Sequence, residues 1–301
     1  MGVLATSLSY GPPVLRDATV DASLISELQS AQEDQRALIS VVPGEGDVLG
    51  VWVFSGDVYA FRNKSGGATA GMYKSTSTGW SEVDLGTALK FDGTTTSGEP
   101  VPGDSGTATT LVGASSGAQG DLAGISYHGE WNTGAAGAMV LTNITGTFSD
   151  NENLTMPLLA YDSGSLEISE GDNIVGGTSG KTATVTSVTI SSGTVAAGDA
   201  AGYISVKNNS GTWTDGEPIN INGVDHATVN GGSQPSNVVV AKSDGTQYAQ
   251  AINPGGLYEF TNYNFRGEST GLTMYGVNTV DNGFSFDGTT FIKMYVGMAT
   301  D

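Results

Sequence analysis

The sequence predicts an all-β protein: repeated antiparallel β-meanders of propeller-blade type, an inserted pair of Gly/Thr-rich β modules, and one short N-terminal helix. Three observations predict it. First, a strand phrase occurs twice, Tyr59-x-Phe61-x-Asn63, Met72-Tyr73 and Phe91-Asp92-Gly93-Thr94-Thr95 returning as Tyr258-x-Phe260-x-Asn262, Met274-Tyr275 and Phe286-Asp287-Gly288-Thr289-Thr290. Conserved order with drifting spacing is what two copies of one meander with different turns produce. Second, 45 glycines with abundant Thr and Ser and few long helix formers favour many short strands joined by tight turns. Third, Ala135–Leu154 aligns without a gap on Ala200–Ile219 with eight identities in twenty, so the middle of the chain carries its own repeat.

Taken in order, residues 17–36 form the one helix candidate, with Leu24, Ile25, Leu28 and Ala31 on one face and Asp21 as a candidate cap. A stripe this narrow is expected to pack on its own domain, an assembly arm being the other reading. Between 37 and 85, Val51–Phe54, Val58–Phe61, Ala70–Lys74 and Trp80–Val83 read as four strands in meander order, the first two joined by Ser55-Gly56-Asp57. Both faces of the first two are apolar, which suits a sheet stacked between neighbours. Residues 96–250 read as two tandem inserted modules sharing Ala-Ala-Gly, Asn143 or Asn208, Gly146-Thr147 or Gly211-Thr212, Phe148 or Trp213, and Asp150-x-Glu152 or Asp215-x-Glu217. From 251 to 301 the first pattern returns as Leu257–Phe260, Leu272–Tyr275, Gly283–Phe286 and Phe291–Val296. The expected organisation is therefore an arm over 1–40, one blade-like domain from 41–95 and 251–301, and the insertion over 96–250. Two meanders are too few for a blade array, so further chains or a longer protein would complete it.

Composition narrows the function classes. Eleven basic against 31 acidic residues give a formal charge of −20, which repels a phosphate backbone and argues against tight nucleic-acid binding. Without cysteine there is no disulfide, thiolate metal site or thiol nucleophile. No apolar run is long enough to span a bilayer, and Met1–Ala5 lacks the basic start of a secretion signal, so a soluble protein without membrane insertion is expected.

No catalytic, cofactor-binding or metal-binding constellation emerges. His128 and His226 align with nothing in each other's module and read as surface or turn residues rather than general bases. Gly113-Ala-Ser115-Ser116-Gly117 has nucleophile-elbow spacing, but no helix follows it, and the match reads as chance. The paired carboxylates Asp150/Glu152 and Asp215/Glu217 recur at one repeat position, which favours turn chemistry over a weak divalent site or a glycosidase acid pair. The Asn-x-Ser/Thr triplets at Asn143, Asn153 and Asn208 read as incidental. Trp52, Tyr59, Phe61, Tyr73 and Trp80 sit at strand spacing that favours core packing over a sugar platform.

Gly50–Asn63, with Gly71-Met72-Tyr73-Lys74-Ser75 and Gly79-Trp80, resembles virion proteins of tailed bacteriophages; Gly256–Phe260, Met274–Asn278 and Phe286–Thr289 resemble the same family. Within it the similarity is to propeller-bearing, nozzle-like tail proteins of short-tailed phages, and the Gly/Thr modules resemble decoration modules of phage structural proteins. The resemblance implies a non-enzymatic homo-oligomer in the phage tail, a ring, tube or nozzle forming a DNA conduit. Its partners would be copies of itself and other tail proteins. A carbohydrate-binding or host-adhesion module that takes a surface glycan is the alternative.

Overall fold

The computed structural model describes residues 18–37, 40–95, 99–103, 108–264 and 271–295. Among the described residues the protein is all-β apart from one α-helix, α1 (Ala18–Ala37), and two short 3-10 turns. The helix begins ahead of Asp21, which lies in its first turn instead of capping it. Leu24, Ile25 and Leu28 are exposed, so the expected packing on its own domain does not occur. Asp17 and the segment before it, and the Val296–Asp301 end, lie outside the described residues.

The first meander is a sheet of β1 (Glu45–Phe54), β2 (Asp57–Asn63), β3 (Ala70–Thr76) and β4 (Gly79–Glu82), paired in chain order. The second is β17 (Glu259–Tyr263), β18 (Thr273–Val277), β19 (Phe284–Phe286) and β20 (Phe291–Lys293). The two pack face to face around one aromatic core: Phe61 stacks on Tyr258 at 4.5 Å, Trp52 on Phe260 at 5.7 Å, and Tyr59 meets Phe286 edge-on at 5.5 Å. Side chains alternate along a strand, so Tyr59 and Phe61 on β2 reach this core together, as do Phe284 and Phe286 on β19. The asparagines of the repeated phrase bolt the sheets together. Asn262 accepts from Trp52 Nε1 (2.7 Å) and donates to the Val53 carbonyl (3.0 Å), while Asn63 accepts from Gly255 N (2.9 Å).

The middle of the chain forms two closed antiparallel barrels. The first runs β5 (Thr87–Asp92), β8 (Ala136–Thr145), β7 (Gln119–His128), β6 (Thr110–Gly113), β9 (Asn153–Gly164) and β15 (Ser236–Ser243), which pairs back onto β5. The second runs β9, β12 (Ala200–Lys207), β11 (Thr182–Ser192), β10 (Asn173–Gly176), β13 (Pro218–Ile221) and β14 (Val224–Val229), which returns to β9. A short strand, β16 (Tyr248–Ala249), adds to β5. The long strand β9 therefore belongs to both. Leu154, Met156 and Leu158 enter the first core, Leu159 and Tyr161 the second, and because neighbouring residues of a strand point to opposite sides, the barrels lie on opposite faces of it.

Two expectations about organisation change. The modules are nested, not tandem: the second barrel closes with the hairpin β13–β14, and in the first barrel the same place, between β9 and β15, is where the whole second barrel is inserted. The boundary expected near residue 95 also moves, because Phe91-Asp-Gly-Thr-Thr starts the first barrel and does not match Phe286-Asp-Gly-Thr-Thr in space. Phe91 packs on Trp131 at 5.5 Å, and Thr94 Oγ1 accepts from Ala135 N at 2.7 Å. In the later copy Asp287 Oδ1 accepts from Thr289 N and Thr290 N to turn the chain into β20. Five residues specify a local turn, and the surroundings decide what it joins.

The parts are held to one another directly. Ile292 on β20 seats against Gly124 of β7, and Tyr295 N donates to Ser126 Oγ at 2.8 Å. Gln250 Nε2 donates to the carbonyls of Leu85 (2.6 Å) and Phe291 (2.8 Å). Between the barrels, the buried Lys207 ammonium lies 4.0 Å from Asp121 Oδ2.

Candidate functional site

The recurring carboxylates are structural in both barrels. Glu152 is 5% exposed and Glu217 2%. Glu152 Oε2 accepts from Ser115 N (3.0 Å), Ser115 Oγ (2.9 Å) and Ser116 N (2.9 Å), and its Oε1 accepts from Ser116 Oγ and Ser149 N, both at 2.7 Å. Glu217 repeats the arrangement with Thr178 N, Ser179 N, Ser179 Oγ and Thr214 N. Burial by itself pushes the Glu152 pKa up; the bonds from Ser116, Ser149 and Ser115 overcome it and bring the group down to about 2. Glu217 is lowered in the same way, burial again opposing the bonds from Ser179, Thr214 and Thr178. A carboxylate facing donors on both oxygens is arranged to hold a loop, not to meet a cation or a glycosidic oxygen. Asp150 and Asp215 play the companion part, each Oδ1 accepting at 2.7 Å from a turn amide, Gly245 N and Gly231 N.

The Gly113–Gly117 segment is followed by a strand and not a helix, so its nucleophile-elbow spacing is coincidental, as expected, but the segment has a structural part. It is the hairpin turn whose Ser115 and Ser116 bind Glu152, and Gly176-Gly-Thr178-Ser179-Gly180 is its counterpart in the second barrel. Each leading glycine is required by space: a Cβ on Gly113 would lie 2.4 Å from Glu152 Oε1, and on Gly176 2.7 Å from both Glu217 oxygens. The signal available in the sequence was a Gly-x-Ser/Thr-Ser-Gly phrase upstream of each Asp-x-Glu. The rest of the shared frame has similar causes. Asn143 (φ 49°) and Asn208 (φ 51°) take left-handed conformations that asparagine tolerates, and Phe148 and Trp213 are buried in the first and second cores.

His128 is exposed at the end of β7, and His226 Nδ1 pairs at 2.7 Å with the Glu167 carbonyl. Of the aromatics weighed as a sugar platform, Tyr59, Phe61 and Tyr73 are buried, while Trp52 and Trp80 are half-buried with their indole N–H groups bonded to Asn262 and the Ser40 carbonyl. Among the described residues, no three His, Cys, Asp or Glu converge as a metal cluster.

What remains with the shape of a site is a cleft of about 300 Å³ at one end of the second barrel, walled by Tyr161, Leu166, Ile168, Val188, Ile190 and Val195. His226 fixes its rim, because its carbonyl accepts from Ser165 N and Leu166 N while its ring holds the Glu167 carbonyl. Tyr161 is 3% exposed, its ring lies over Gly164, and its hydroxyl has no hydrogen-bond partner among the described residues. A crevice of about 390 Å³ where the first barrel meets the second meander is lined by Lys90, Tyr248, Gln250, Lys293 and Tyr295, but it is more open, and Lys293 is already paired with Asp281 at 2.9 Å. In comparisons with known proteins, no family model, curated protein or solved structure matched the chain.

Proposed function

We propose that this chain is a non-enzymatic structural component of a tailed-phage virion that assembles with copies of itself and neighbouring tail proteins into a ring, tube or nozzle. One observation carries the assembly reading. β1 and β2 are apolar on both faces, the second meander covers only the inner face, and on the outer face Val51 is 54% and Val53 57% exposed on β1, an edge strand. Exposed β-branched apolar residues on the outer face of an edge strand are a surface for another chain to cover. The exposed Leu24, Ile25 and Leu28 stripe of α1 supports the same reading, and a charge of −20 suits a conduit that must not retain passing DNA. The virion assignment rests on the sequence resemblance of the meander strands.

The test is light scattering of purified full-length protein, beside mass spectrometry of intact particles. A defined oligomer that dissociates in the Val51→Glu/Val53→Glu double variant is expected. A wild-type monomer at all concentrations would overturn assembly, and absence of the chain from particles would overturn the virion placement.

A further inference from the structure

The two barrels are copies of one design, so each shows what fills a given place in the other. Phe91 and Tyr161 are equivalent, each paired across the ladder with the glycine of the Ala-Ala-Gly repeat, Gly137 or Gly202. Tyr127 and Ile190 are equivalent, each opposite the same glycine on its other side. Trp131 and Val195 each open the 3-10 turn before that glycine strand. In the first barrel Phe91, Tyr127 and Trp131 close the end as an aromatic cluster, Trp131 lying 5.5 Å from Phe91 and 5.4 Å from Tyr127. The second barrel has Val195 where the indole would be and Ile190 where the phenol would be, and the cleft opens at that end. Its one departure toward polarity is Tyr161, a hydroxyl added to the Phe91 position and left without a partner among the described residues. Tyr161 is buried as a residue, but its hydroxyl oxygen reaches the open space of the cleft, where the polar atom of a ligand can meet it.

We propose that this cleft binds a small, uncharged, planar aromatic molecule of indole size, its ring lying where Trp131 lies in the first barrel and its polar atom hydrogen-bonded to the Tyr161 hydroxyl. The volume, at the low end of ligand pockets, admits one such bicycle and little more. Leu166, Ile168, Val188, Ile190 and Val195 supply an apolar wall for its faces. Glu167 at the rim, in a chain of charge −20, disfavours an anionic ligand.

Indole is the probe, titrated into the full chain and followed by saturation-transfer NMR and by the methyl shifts of Ile190 and Val195. Saturable binding is expected, with no binding in Val195→Trp, whose new side chain fills the cleft as Trp131 does in the first barrel. Ile190→Tyr, also copied from the first barrel, gives an independent block should Val195→Trp fold poorly. Tyr161→Phe is expected to keep the wild-type melting temperature and to weaken indole several-fold, whereas a hydroxyl with a purely structural role would lower the melting temperature and leave binding unchanged. Indole-3-acetate is expected to bind more weakly than indole. Absence of saturation in the wild type, undiminished binding in a blocking variant, or equal binding of indole-3-acetate would each overturn the proposal.

Discussion

Replacing Glu152 by glutamine tests the account of the repeated carboxylates directly, because the shape is kept and only the charge and one acceptor are lost. If the glutamine oxygen takes the Oε2 place, it still accepts from Ser115 N, Ser115 Oγ and Ser116 N. Its NH₂ then occupies the Oε1 place. The Ser116 hydroxyl can rotate to accept from it, but the Ser149 N–H, 2.7 Å away, is left without an acceptor. A buried unsatisfied donor costs about 1–3 kcal/mol, and the three remaining bonds lose their charge assistance. The titration gives a second figure. A shift from 4.5 to about 2, at roughly 1.4 kcal/mol per pH unit, corresponds to about 3 kcal/mol as an upper bound for a group so little exposed. A loss near 3 kcal/mol in the first barrel is therefore expected near neutral pH. The sign of the pH dependence follows from a folded-state pKa held low. The stabilisation is complete above 4.5 and is lost as the pH falls through about 2, so wild type and variant should converge there. The assay is urea unfolding read by hydrogen exchange at the Ser115, Ser116 and Ser149 amides, a local probe being needed because separate cores need not unfold together. A variant within about 0.5 kcal/mol of wild type near neutral pH, or a difference that persists undiminished below pH 2, would refute the reasoning.

Two further outcomes are expected. Gly202→Ala should destabilise the second barrel by about 3 kcal/mol, since the new Cβ would lie 1.9 Å from the Thr189 carbonyl oxygen, while Gly232→Ala, which meets nothing within 4 Å, should be neutral; thermal unfolding of the pair checks this. Asn262→Ala removes bonds to Trp52 Nε1 and the Val53 carbonyl and should cost about 2 kcal/mol, with the Trp52 indole N–H resonance moving toward its solvent-exposed position; an unchanged resonance would show that the asparagine does not join the sheets.

The all-β class, the strands of the two meanders, and the equivalence of Ala135–Leu154 with Ala200–Ile219 were legible in the sequence alone. These rest on interactions of short range: alternation along a strand, left-handed turn positions at Asn143 and Asn208, and a buried aromatic at Phe148 or Trp213 each leave a residue-type signature wherever they occur. The pairing of Tyr-x-Phe-x-Asn with its copy was legible for the same reason, although the phrase does not say that Asn262 would reach Trp52 across the core. Which strands close on which is set by contacts between distant parts of the chain. Nothing local in Leu154–Tyr161 announces that one strand serves two barrels, and the insertion of the second barrel between β9 and β15 is a matter of long-range closure. Phe91-Asp-Gly-Thr-Thr misled for that reason, its turn chemistry being repeated while its packing partner, Trp131, lies far along the chain. The cleft was hidden more deeply still. It exists because Val195 and Ile190 stand where the other barrel has Trp131 and Tyr127, a difference in packed volume that acquires meaning only once the two barrels are superposed in register.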